Sequence, residues 1–217
     1  MGLKTRIAAS AAVALVGLPT ANAGFVYQSA LRSVDIAVSG SSVDSDSSTA
    51  FGSWFGSASM LGSGYSSLAS HGSNLSYGEL ILVGAAQVSA PNSVANIVAR
   101  SWADVTFLAD MDETISWIAG LGVESTGVGN IASVSVIVTD VGTGAIRFAS
   151  SDDSTGSGSF AIVAGHNYRV QITASSTAAT SGEVLSNFNV GFYSIPAPGA
   201  LALVGLAGLI ARRRRQH

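Results

Sequence analysis

The chain has 217 residues, 47% of them apolar, no cysteine, and a formal charge of −3. Without cysteine there is no disulfide framework and no thiolate chemistry. Charge is uneven: Lys4, Arg6 and Arg212 to Arg215 sit at the two ends, while residues 24–194 hold four arginines, no lysine and all thirteen acids, a formal −9 that excludes the basic footprint nucleic acid requires.

The first element is a leader. Lys4 and Arg6 form a positive start, Ile7 to Leu18 is an apolar run, and Pro19-Thr20 breaks it. Ala21 and Ala23 are the small residues of an Ala-x-Ala site. This pattern predicts a secretory signal peptide over residues 1–23, cut by signal peptidase before Gly24 after export through Sec-type machinery.

Residues 24–194 are one domain's worth of chain. Val34, Ile36 and Val38 alternate with Asp35, Ala37 and Ser39 and predict a strand. Ser39 to Ser76 holds fifteen serines in thirty-eight residues, yet carries Phe51, Trp54, Phe55, Met60, Leu61 and Tyr65. It reads as irregular loops and short edge strands pinned by aromatics. Asn74-Leu75-Ser76 matches a glycosylation sequon of little weight.

Further on, period-two spacing gives apolar faces at Ala103, Val105, Phe107 and Ala109, then at Ile115, Trp117 and Ala119. Val134, Val136 and Val138 follow, with Ile146 and Phe148, Phe160 and Ile162, Tyr168 to Ala174, and Phe188, Val190 and Phe192. Gly120 with Gly122, Gly127 to Asn130, Asp140 to Gly144, Ser150 to Ser159, and Ala164 to Asn167 are read as the connections. Short strands joined by turns predict an all-β, antiparallel β-sandwich, jelly-roll-like in its winding.

The last element, residues 195–217, is the most specific. Pro196-Ala197-Pro198 precedes an apolar run from Gly199 to Ala211, and Arg212, Arg213, Arg214 and Arg215 follow at once. Prolines resist helix continuation, and arginines resist translocation. As a single hydrophobic helix the run reaches roughly 20 Å against about 30 Å of hydrocarbon, enough to halt export and poor for lasting residence.

The order of parts in this tail resembles the PEP-CTERM sorting signal of bacterial exported proteins, with Ala197 where that family usually has glutamate. The resemblance implies an exosortase-type membrane enzyme as partner. It also implies transient anchoring in the inner membrane, then display at the cell surface or release into an extracellular, polysaccharide-rich matrix. The run from Trp102 to Ala178, with Asp104-Val105-Thr106-Phe107 and the Ala164-Gly165-x-x-Tyr168 turn, is similar to β-sandwich domains that precede such tails. Those domains share no assigned activity.

Catalytic chemistry is sparse. His71 and His166 lie far apart in sequence, and neither a zinc-protease motif nor a nucleophile elbow is present. No catalytic residue and no cofactor are therefore assigned. Asp110, Asp112 and Glu113, between two predicted strands, are the best carboxylate cluster for a calcium ion, ahead of Asp44 with Asp46 and Asp152 with Asp153. Trp102 and Tyr193 fall on the faces opposite the apolar ones, where an aromatic can stack on a sugar; the plainer expectation is that both faces are partly covered and that a loop lies over Trp102. The reading is a non-enzymatic exported envelope or matrix protein. The alternatives are a carbohydrate-binding module with calcium as a staple, and a secreted hydrolase with an unrecognised site.

Overall fold

A computed structural model describes residues 24–92 and 96–195. The leader with Ala21 and Ala23, and the sorting motif from Pro196 onward with its hydrophobic helix and arginines, lie outside the described residues. Twelve strands follow one another: β1 (Phe25–Val38), β2 (Ser41–Ser48), β3 (Gly52–Gly62), β4 (Tyr65–Ser76), β5 (Glu79–Ala90), β6 (Ile97–Ala109), β7 (Glu113–Ser125), β8 (Ile131–Asp140), β9 (Ile146–Ser151), β10 (Thr155–Ile162), β11 (Asn167–Ala178) and β12 (Gly182–Ile195). They form two six-stranded antiparallel sheets. The first runs β2-β1-β6-β11-β8-β9 and the second β10-β7-β12-β5-β4-β3.

The architecture is a β-sandwich, and the alternation explains it. Val34, Ile36, Val105, Phe107, Val134, Val136, Val138, Val170, Ile172, Phe188, Val190 and Phe192 are all buried, while their sequence neighbours on β6, β8 and β11 turn outward. Two half-apolar sheets can bury these sets only face to face. Hairpins β1–β2, β3–β4, β4–β5 and β8–β9 stay within a sheet, and the other connections between described strands cross from one sheet to the other.

Four expectations are corrected. Ser39 to Ser76 is more regular than expected: β2 and β3 are edge strands, as read, but they are continuous, and β4 is an interior strand paired on both sides. Its inner positions are Ser67, Ala69, His71, Ser73 and Leu75, too small or too polar to show as an apolar stripe. Gly120 and Gly122 lie inside β7 rather than in a connection, facing Asn189 and Asn187 of β12. Ser150 to Ser159 is mostly strand, because β10 pairs with β7 from Thr155. Trp117 explains the composition there: a Cβ on Gly158 would lie 2.9 Å from its ring, so the glycine makes room for the indole. Lastly, Ile146 is 64% exposed; a register shift in the β8–β9 pairing separates it from Phe148, and only Phe148 of that pair enters the core.

The domain also runs one residue past Ser194. Ile195 closes β12 opposite Thr114. Both ends of the described domain meet at one pole. Gly24 packs against the ring of Tyr77, and the Ser194 amide donates to the Gly78 carbonyl at 2.8 Å.

Candidate functional site

The outer face of the first sheet carries open polar chemistry. Register places Trp102 of β6 directly across from Ser33 of β1 and Thr173 of β11, so the half-buried indole has small hydroxylated side chains as its direct cross-strand partners. Along β6 on the same face stand Arg100 and Asp104. Asp104 takes two hydrogen bonds from Arg169 Nε, at 2.8 and 3.1 Å, and another from its Nη2. Gln171 Nε2 reaches the same carboxylate at 3.4 Å. The Asp104 bonds push the Arg169 guanidinium above its ordinary range. On the other side of the indole Arg100 approaches Asp35 at 3.5 Å, where burial raises the carboxyl and Arg100 partly offsets it.

Beside the Asp104–Arg169 pair lies an open groove of about 560 Å³, lined by Gln28, Ser29, Leu31, Thr106, Val141 and Asn167 among others. A bulge in β1 creates part of it. The β1–β6 register shifts between Tyr27 and Ser29, and both Gln28 and Ser29 are exposed. Sequence reasoning singled out Trp102 but missed its neighbours, because Asp104, Arg169 and Gln171 meet only through the β6–β11 register.

A second polar group is sealed inside. Arg32 is fully buried on the inner face of β1, sharing the parity of Val34 and Ile36. Its Nη1 donates to the Gly52 carbonyl at 3.0 Å and to Ser73 Oγ at 2.8 Å; its Nη2 donates to the Ala50 carbonyl and to Ser48 Oγ at 3.3 Å. The guanidinium also lies 5.5 Å from the Trp54 ring centre. Its partners lie on β4 and on the chain that crosses from β2 to β3, so it pins that crossing. Burial lowers its pKa, partly opposed by Tyr27.

His71 lies in the same interior, 5.5 Å from Trp54 and 5.6 Å from Phe188 between ring centres. Nδ1 is 3.2 Å from Ser101 Oγ, and Nε2 is buried without a hydrogen bond. Burial, helped by Arg32, pushes the imidazole pKa down to about 4, so at neutral pH the ring is uncharged.

The carboxylates chosen from the sequence are dispersed among protein partners. Asp110 accepts from the Tyr77 hydroxyl, and that bond, with lesser help from burial and nearby charge, lifts the phenol to about 12. Asp112 Oδ1 accepts from the Ala164 amide at 2.7 Å. Glu113 is buried and accepts from Ser194 Oγ; burial raises its carboxyl. Asp44 Oδ2 accepts the Ser59 amide at 2.7 Å, tying β2 to the free edge of β3. Asp152 and Asp153 form the β9–β10 turn with φ of 37° and 27°, and bond the amides of Val134 and Val123 at 3.0 and 2.9 Å. Among the described residues no group of three or more His, Asp or Glu side chains converges to hold a metal ion.

His166 has a role the sequence did not suggest. Its Nδ1 is 3.0 Å from Asp140 Oδ2, which also accepts from Arg147 Nη2 at 2.9 Å. The other Asp140 oxygen accepts the amides of Gly142 and Thr143 at 3.2 and 3.3 Å. Burial alone would raise this carboxyl; the bonds from Arg147, His166 and Thr143 outweigh it and hold it well below the usual range. The group staples the β8–β9 hairpin to the start of β11. Tyr193, the other aromatic the sequence placed on an outward face, lies along its own strand with its hydroxyl near Gly191.

No protein-family model matches this chain, and no curated protein is significantly similar to it.

Proposed function

We propose that this is a non-catalytic exported protein of the bacterial envelope or extracellular matrix, delivered by an exosortase-type sorting signal and presented as a jelly-roll β-sandwich. The carrying observation is the order of parts in the chain. A signal-peptide pattern ends at Ala23, a cysteine-free acidic domain follows, and Pro196-Ala197-Pro198, an apolar run and four arginines close it.

Two features of the fold support the reading. Gly24 and Ser194 meet at the Tyr77-Gly78 turn, so the leader and the tail join the domain at the same pole. That arrangement suits a domain held at one membrane first by its leader and then by its tail. The strand orders β5-β12-β7-β10 and β6-β11-β8-β9 favour jelly-roll winding, with β1 to β4 adding two strands to each sheet.

The test is mass spectrometry of the mature protein from a native host. The expected product begins at Gly24 and lacks the arginines. Recovery of peptides spanning Leu206 to Arg212 from displayed protein would overturn the sorting reading.

A further inference from the structure

We propose that the outer face of the first sheet, from Trp102 to the groove beside Asp104 and Arg169, is a binding site for a neutral polysaccharide. This goes beyond display and does not depend on how the tail is processed. Three observations converge on it.

The first is the indole. Trp102 stands half-buried on the outward face, with Ser33 and Thr173 directly across from it on the adjoining strands. A half-buried indole in a row of hydroxyls is an amphipathic platform. It suits a ligand with an apolar C–H face and hydroxyl edges, which describes a sugar ring.

The second is the polar set two residues along β6. Arg169 and Gln171 of β11 both donate to the Asp104 carboxylate, which ties the three side chains into one array. Their geometry is set before a ligand arrives, which lowers the ordering cost of binding. Guanidinium, carboxylate and amide groups each carry more than one donor or acceptor position and can hydrogen-bond adjacent hydroxyls in pairs. Gln28, Thr106 and Asn167 line the groove beyond and extend the same chemistry.

The third is charge. Arg169 is matched by Asp104 and Arg100 by Asp35, so neither cation on this face is left to attract an anion. The domain around it carries nine more acids than bases. An anionic polymer would be repelled, and a neutral one would not.

The experiment uses the full-length chain in a phosphocholine detergent that carries no sugar. It is titrated with soluble xylan, mixed-linkage β-glucan and galactomannan, with alginate as the anionic comparison. At least one neutral polymer should bind and alginate should not. Trp102→Ala and Asp104→Asn should each weaken binding about tenfold, on the order of one lost aromatic or charge-assisted contact. Ile118→Ala, on the outer face of the second sheet, should leave it unchanged. If Trp102→Ala shows no cooperative melt, Asp104→Asn and Gln171→Ala carry the same test. No binding to any neutral polymer, binding indifferent to the folded variants, or a preference for alginate would each overturn the proposal.

Discussion

The interior is built by two different means. Where β6, β8, β11 and β12 meet, it is aliphatic and aromatic, with Val105, Phe107, Val136, Val138, Val170, Ile172 and Val190 all buried. Under β3 and β4 it contains Arg32, His71, Ser73 and Trp54, joined by hydrogen bonds and ring contacts. The first region is held by burial, which is non-directional and tolerates small shifts. The second is held by donors and acceptors whose geometry must be right, since a buried polar group without its partner costs more than its bond contributes. The contrast predicts different responses to substitution and to pH.

The largest effect should come from charge placed in the aliphatic region. Val136→Asp or Phe107→Asp should abolish the cooperative fold, because an unpaired buried carboxylate costs several kcal/mol against a total of about 5–15. Ser135→Asp, one residue away on the outer face, should cost under about 1 kcal/mol. Circular dichroism with urea titration separates the outcomes, and a reversal would mean the register is wrong.

Next comes the opposite manipulation, removing a charge. Arg32→Ala should cost roughly 3–5 kcal/mol, since it strands the Ala50 and Gly52 carbonyls and Ser73 and leaves a cavity. Arg32→Met should recover the packing part but not the bonds. If Arg32→Met matches the wild type in urea, the polar region is held by packing after all.

The third test is pH. His71 has a folded pKa of about 4 against an ordinary 6.5, so the unfolded chain takes up the proton first. Its contribution is complete above pH 6.5, falls as pH drops through that value towards 4, and is fully lost below. The loss amounts to about 3 kcal/mol. Asp140 acts in a lower window, because its depressed carboxyl contributes above its unfolded pKa and is lost on further acidification. Subtracting the pH–stability curve of His71→Phe from that of the wild type isolates the first window. A flat difference between pH 4 and 6.5 would show that the ring is not buried neutral.

The smallest effects sharpen the boundary between the regions. A Cβ on Gly84 would lie 2.3 Å from the Phe188 ring and 2.4 Å from Ser101 Oγ, so Gly84→Ala should cost about 1–3 kcal/mol by overpacking. On the outer face of β4, a Cβ at Gly72 meets nothing nearer than 3.8 Å, and Gly72→Ala should be neutral or slightly stabilising. Thermal melts of the two variants check the difference.

The sequence by itself determined the strands of the aliphatic region. There a period of two in Val, Ile and Phe marks the buried face directly, as at Val134, Val136 and Val138. It also singled out Trp102, since an indole out of phase with Val105 and Phe107 must face outward. Only the tertiary structure decided the rest. The inner face of β4 shows no apolar stripe because Arg32 and Trp54, from other strands, set what it needs. Gly158, read as part of a loop, proved to be a strand position where the ring of Trp117 makes the small residue necessary. Asp104, Arg169 and Gln171 became one array only when β6 and β11 paired in register. Alternation is a local property of one strand. Partners across strands and sheets are set by register and topology, which no single strand encodes.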